Sequence, residues 1–506
     1  MLANTNKNVI ANFAGGIVSG LLVFICTPLY LQYLGMESYA LIGLFVPFVA
    51  LATLLDLGMS TTIMREMARL GAGEHTSNSI HDLQRSFELI TFFLISLVIT
   101  TAWFQSDNLA ENIINAQELT DERISKSLFL LICGVALRIY EGLYRGGLYG
   151  LKYQVWFNIV HSVMQIFRYV GVLFIFEYYT SSIEFFFIWQ IIISLSSILI
   201  YRLKLNLILP LKKRSPRFSF DAIQKIAGFA QGMFLLTITH ILWKQVDQFL
   251  LVSLLPLEEY GQFSLAMTLG SALIIAISPV TQAYYPKLVE LLSRNYNDEL
   301  RKNYNSMSQT ITFFISSAGL MMFFYSEEIV FIWTGDAAIS QTIETLVSLL
   351  AISSILIAQL YGPYNYFIAR GNTIFPVLLN SSCLVIIIPM IFILAPRYGA
   401  IGVIILKIIA DLFRMFFYGL AMKKIITDFN LLESFGFNFL LPFSGSLFVI
   451  ATSTLLDIEP YSHSLFFILY MAIVFLISSL ASLMLANNLR LELSSFMQKI
   501  NFNMKK

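Results

Sequence analysis

The chain has 506 residues, 57% of them hydrophobic and 12% charged, with a formal net charge of +1. Soluble domains carry about 25% charged residues, so this composition excludes an ordinary soluble enzyme, and the near-neutral balance names no nucleic-acid partner. Apolar runs long enough to cross a bilayer recur along the whole length, which predicts an all-α polytopic membrane protein.

A helix crossing about 30 Å of hydrocarbon needs about 20 mostly apolar residues. Fourteen stretches qualify: 9–31, 40–60, 87–105, 128–150, 155–176, 183–203, 227–254, 261–283, 310–333, 345–368, 374–395, 399–421, 436–456 and 463–487. The first is too long for the apolar part of a signal peptide and reads as a first span. Numbering the loops alternately puts 23 of the 32 Lys and Arg on the side of the N-terminus and only Arg123, Lys126 and Arg397 on the other. A wrong count would scramble that asymmetry. It predicts cytoplasmic termini by the positive-inside rule, in a bacterial inner membrane on the family reading below.

Matches recur at a fixed offset of 221 residues. LGMESY at 34–39 meets LPLEEY at 255–260, ITFF at 90–93 returns at 311–314, and Gly150 meets Gly371. Each falls at the same place in the hydropathy profile. The reading is two parallel-repeat six-helix bundles plus two C-terminal helices: a first lobe at 1–205, a cytoplasmic linker at 206–226, a second lobe at 227–425, and two extra helices with a tail at 426–506. Ser219 is placed to cap a short linker helix. Two like-oriented bundles suit alternating access, in which a site faces either surface in turn.

No phosphate-binding GxxxxGK[ST] loop, HExxH or CxxC occurs, and the largest outer loop, about 106–127, is too short for an enzymatic domain. The expectation is therefore a membrane transporter without cofactor or metal. Cys26, Cys133 and Cys383 lie in apolar runs and read as small core residues.

Six basic residues fall inside spans, where a charge costs about 2.5 kcal/mol or more at the bilayer centre. They belong to four helix-face stripes with spacings of three, four or seven residues. These are Arg138, Glu141 and Arg145; His161, Gln165 and Arg168; His240, Lys244 and Asp247; and Lys407, Asp411 and Arg414. Each stripe also reads as a structural ion pair. Together, however, they hold six basic residues against three acidic ones, a surplus that favours an anionic guest. Asp56, in LLDLGM, reads as a gate carboxylate or helix cap. Asp247, Asp411, Glu141, His161 and His240 are the remaining coupling-ion or gate candidates. Tyr361, Tyr364, Tyr366, Trp243 and Trp333 can stack on sugars or anchor at the interface, with the interface favoured for Trp333 and Tyr366. Gly362-Pro363 is a candidate kink.

The segment YLGMESYALIGLFVPFVALATLLDLGMSTTIMREMARL at 33–70 resembles the start of the polysaccharide-biosynthesis transporters. VDQFLLVSLLPLEEYGQFSLAMTL at 246–269 and YYPKLVEL at 284–291 resemble the matching second half. The resemblance spans about 8–425. It implies the multidrug/oligosaccharidyl-lipid/polysaccharide exporter superfamily and, within it, the O-antigen and capsule repeat-unit flippases. Such a protein moves an undecaprenyl-diphosphate-linked oligosaccharide through the membrane lipid, and works beside polysaccharide polymerase and chain-length proteins. An anionic diphosphate suits a positive cavity, so Lys244, Arg138, Arg145, Arg168, Lys407 and Arg414 are the headgroup candidates. The rival readings are a cation-coupled multidrug antiporter of the same superfamily and a non-transporting scaffold of a polysaccharide-assembly complex.

Overall fold

In a computed structural model the chain is helical wherever it is regular. The structure describes residues 2–56, 58–71, 76–210, 214–215, 217–218, 220–275, 277–294, 296–425, 435–456, 464–491 and 494. Ser219 lies outside them. The elements are α1 (Leu2–Leu34), α2 (Met36–Gly43), α3 (Phe45–Leu55), α4 (Met59–Gly71), α5 (Ser77–Ile113), α6 (Asp121–Gly150), α7 (Gln154–Tyr169), α8 (Gly171–Tyr178) and α9 (Ile183–Ile208). There follow α10 (Phe220–Leu254), α11 (Leu257–Ile275), α12 (Ile277–Ser293), α13 (Asn297–Phe324), α14 (Ser326–Thr334), α15 (Ala337–Ala369) and α16 (Ile374–Ile425). A C-terminal pair, Leu441–Ser453 and Ser464–Leu485, closes the chain.

Eleven helices are long and apolar enough to cross a membrane among the described residues. One of them, Ile374–Lys424, covers two of the stretches read from the sequence. Gly399 breaks it, with φ 59° and ψ −153°. The kink expected at Gly362-Pro363 does not end α15, which runs through Pro363. Two compact units form, residues 1–264 and 265–506.

The 221-residue period reappears in the helix starts. Met36 and Leu257, Ser77 and Asn297, and Gln154 and Ile374 each begin helices 220 or 221 residues apart. One sequence match changes its meaning. The turn after α15 has Gly371 at φ 79°, donating from N to Ile368 O (2.9 Å), with Asn372 N on Phe367 O (2.9 Å). The turn after α6 has the same two bonds, Lys152 N to Tyr149 O (3.0 Å) and Tyr153 N to Leu148 O (2.9 Å). Lys152, at φ 65°, is therefore the counterpart of Gly371, and it is the one non-glycine with positive φ among the described residues. That conformation costs a side-chain-bearing residue about 1 kcal/mol relative to glycine. Gly150 serves helix packing instead.

The repeated L-x-x-E-x-Y motif also has a physical role. Gly35 turns the chain at φ 76°. Glu37, 3% exposed, then accepts hydrogen bonds from the backbone N–H groups of Gln117 (2.6 Å), Glu118 (2.9 Å) and Leu119 (2.9 Å). One carboxylate thus pins the loop between α5 and α6, satisfying three donors that burial would otherwise leave costly. Its counterpart Glu258 is exposed, while both motif tyrosines, Tyr39 and Tyr260, are buried.

Candidate functional site

The site in the first unit begins with glycines. Gly142, Gly146 and Gly150 recur every fourth residue on α6 and face α4. A Cβ added at Gly146 would lie 2.2 Å from the Ser60 carbonyl oxygen, and one at Gly150 would lie 2.3 Å from that of Met64. Small residues allow such backbone approach between membrane helices. The contact sets α4 against the C-terminal third of α6. Gly58, at φ 75°, turns the chain into that helix. Asp56 caps it, accepting from Ser60 Oγ (2.8 Å) and Ser60 N (3.2 Å). The capping reading of Asp56 therefore has direct geometry, and the same carboxylate lines a cavity.

The charges of α6 and α7 meet on Glu141. Its Oε2 accepts from Arg138 Nη1 at 2.9 Å and its Oε1 from Arg168 Nη2 at 3.0 Å. Arg168 is 1% exposed and also donates from Nη1 to Gln190 Oε1 (3.2 Å) and Ser194 Oγ (3.1 Å) of α9. Arg168 thus ties α6, α7 and α9 together. Arg138 lies over the Phe45 ring, 5.6 Å from its centroid.

His161 and Gln165 complete the wall. The Gln165 amide nitrogen can only donate, so His161 Nε2 accepts from it (3.2 Å). The neutral imidazole then carries its proton on Nδ1, which faces Tyr201 Oη at 3.3 Å. His161 also stacks on Phe157, with centroids 5.3 Å apart and planes 14° from parallel.

These groups surround a cavity of about 690 Å³ within the first unit, lined by residues of α3, α4, α6, α7 and α10. Arg138, Glu141, Arg145, Asp56, His161 and Gln165 all contribute to its wall. Arg145 is exposed there and has no hydrogen-bond or ion-pair partner among the described residues. With Arg168 behind the wall, three guanidinium groups stand against the carboxylates of Glu141 and Asp56. The local surplus is positive, and Arg145 is the part of it open to a guest.

The other candidates lie elsewhere. On α10, Asp247 is 2% exposed, His240 half-buried and Lys244 exposed. In the second unit Arg414 donates to Asp411 at 2.8 Å, both buried, with Lys407 half-buried on the same helix. None of these lines the cavity. Two of the four polar stripes therefore converge. Tyr366, expected at the membrane interface, is instead 2% exposed, and Trp243 is 5% exposed; Trp333 is half-buried. The cysteines are free. Sequence reasoning missed Ser60, Gln190 and Ser194, which hold Asp56 and Arg168. It also missed the Gly142–Gly146–Gly150 face, whose four-residue spacing was there to be read.

Fold and site define a multi-pass membrane protein with a charged cavity among its helices. The chain belongs to the polysaccharide biosynthesis protein family, whose model matches residues 5–292. No curated protein matches it in sequence. Its fold is shared with solved structures at 16% identity. One is the lipid II flippase MurJ in an inward closed conformation (TM-score 0.71, 96% of this chain and 99% of that chain covered). A second is an inward-facing multidrug resistance MATE family transporter of the MOP superfamily (TM-score 0.63, 81% and 99%). A third is the MATE multidrug transporter DinF-BH (TM-score 0.60, 83% and 95%).

Proposed function

We propose that this protein is a flippase carrying an undecaprenyl-diphosphate-linked oligosaccharide, an O-antigen or capsule repeat unit, from the cytoplasmic to the periplasmic leaflet by alternating access. The observation that carries the reading is Arg145, a guanidinium without a hydrogen-bond or ion-pair partner among the described residues, facing a cavity of about 690 Å³ in a polysaccharide-biosynthesis family member. That volume falls in the range of ligand sites and accommodates a diphosphate with its adjoining sugar. Arg145 and Arg138 take the phosphate oxygens by charge-assisted bonds, and Arg168 holds Glu141 so that Arg138 stays at the wall. The polyprenyl tail stays in lipid while the headgroup crosses. Lys244, Lys407 and Arg414 are outside this cavity, and their replacement tests whether the headgroup meets them elsewhere on its path. Asp247, Asp411 and His240 are the candidates for ion coupling, while His161 and Asp56 shape the cavity. Polysaccharide polymerase and chain-length proteins are the expected partners.

A cation-coupled drug antiporter would need a cavity with a surplus of acidic charge; here Arg138, Arg145 and, behind the wall, Arg168 stand against Glu141 and Asp56. The test is reconstitution in vesicles with a labelled lipid-linked oligosaccharide. Transfer of the oligosaccharide between leaflets supports the flippase. Extrusion of a cationic dye without such transfer supports the antiporter, and neither activity leaves the scaffold.

A further inference from the structure

Lys152 sits where the matching turn of the other repeat has Gly371, in a backbone conformation that disfavours any side chain. A residue kept against local preference points to a role for its side chain. Its neighbours suggest which. Lys204, near the end of α9, lies with Nζ 5.5 Å from the Tyr153 ring centroid and 5.3 Å from that of Trp156, both at the start of α7. Neither Lys152 nor Lys204 has an ion-pair partner among the described residues. Beside them the helices turn apolar side chains outward: Leu199 and Leu203 on α9, and Val155, Ile159 and Val163 on α7. Two unpaired ammonium groups, two amphipathic rings and an apolar wall running away from them make a surface with one charged end.

We propose that this surface binds an anionic phospholipid, with the headgroup phosphate on Lys152 and Lys204 and the acyl chains along α7 and α9. Basic residues at the mouth of a helix–helix groove are suited to such headgroups, and interfacial Tyr and Trp fix their depth. This end of α7 and α9 is the one that the positive-inside reading places at the cytoplasmic leaflet. The site is separate from the cavity, whose lining includes none of these residues and reaches this end of α7 only at Phe157.

The full chain in nanodiscs of phosphatidylcholine with increasing phosphatidylglycerol, read by native mass spectrometry, tests this. The wild type should retain a phosphatidylglycerol. Its apparent affinity should fall about fivefold in each of Lys152→Gly and Lys204→Gln and about 25-fold in the double variant. Lys152→Gly should also raise the melting temperature, by about 1 °C, because glycine suits that φ; loss of lipid with a gain in stability rules out misfolding as the cause. Equal phosphatidylglycerol retention by the double variant and the wild type overturns the proposal. So does equal retention of phosphatidylcholine and phosphatidylglycerol by the wild type. Unchanged phosphatidylglycerol binding with lost binding of a lipid-linked oligosaccharide also overturns it and gives the patch to the transported molecule. The readout is lipid retention, so failure of the flippase reading leaves this result standing.

Discussion

The two units bury polar groups between helices in contrasting ways. In the second unit the C-terminal pair docks on α13 through hydroxyls. Ser446 lies 3.1 Å from Ser316 and 3.0 Å from Ser317, Ser316 lies 3.4 Å from Ser482, and Ser446 donates to the Ser478 carbonyl at 3.1 Å. Tyr325 meets Ser453 at 2.8 Å. Every member of this seam is neutral. In the first unit Arg138, Glu141, Arg168 and Arg145 stand around a cavity. Hydroxyl bonds between membrane helices contribute about 0.6 kcal/mol each, and rarely as much as about 2. That is enough for docking, at far less risk than charges costing about 2.5–3.5 kcal/mol apiece to insert. The second unit shows that this chain can join helices without ions. Glu141, Arg138 and Arg168 tie helices together with ions; on the proposed function, the charge that the need for glue leaves over is Arg145.

The contrast can be broken by mutation. The largest effect on stability should come from Glu141→Ala, which strips the buried Arg168 of its counter-charge. Loss of one partner of a buried pair costs about 3–5 kcal/mol, so thermal melting in detergent should drop sharply; an unchanged melt would mean the network is not a structural tie. Ser446→Ala should cost about 1–2 kcal/mol by loosening the neutral seam, with the rate of oligosaccharide transfer unaltered. A tenfold loss of transfer there would erase the distinction between the two regions. Asp56→Ala should cost about 1 kcal/mol by removing the cap of α4, and Asp56→Asn, which keeps an acceptor for Ser60, should recover most of it. If the asparagine variant melts as low as the alanine one, the charge and not the cap holds the turn.

Much of this was legible from residue spacing. Arg138, Glu141 and Arg145 share a face of α6 because of the helical period, and so do His161, Gln165 and Arg168 on α7. Spacing cannot say which faces meet, because that depends on how closely two helices approach. Here the α6 and α7 faces meet where Arg168 reaches Glu141 at 3.0 Å, and Asp56 comes to the same cavity beside the Gly146–Ser60 contact, which involves backbone atoms that no charge pattern reveals. The same limit explains Tyr366: position near a span end suggests the interface, whereas the fold leaves it 2% exposed. The Gly150 match failed for a related reason. Identity at a fixed offset does not track a two-residue shift in where the helix ends, and hydrogen bonding shows Lys152 in the place of Gly371.

The central claim is that Arg145 meets the anionic headgroup. Its most direct test is the rate of lipid-linked oligosaccharide transfer in vesicles containing Arg145→Ala beside the wild type, each checked for melting temperature. Loss of a charge-assisted contact of up to about 3 kcal/mol predicts a fall of about 100-fold at unchanged stability, partly restored by Arg145→Lys. Transfer at the wild-type rate by a folded Arg145→Ala protein would contradict the account.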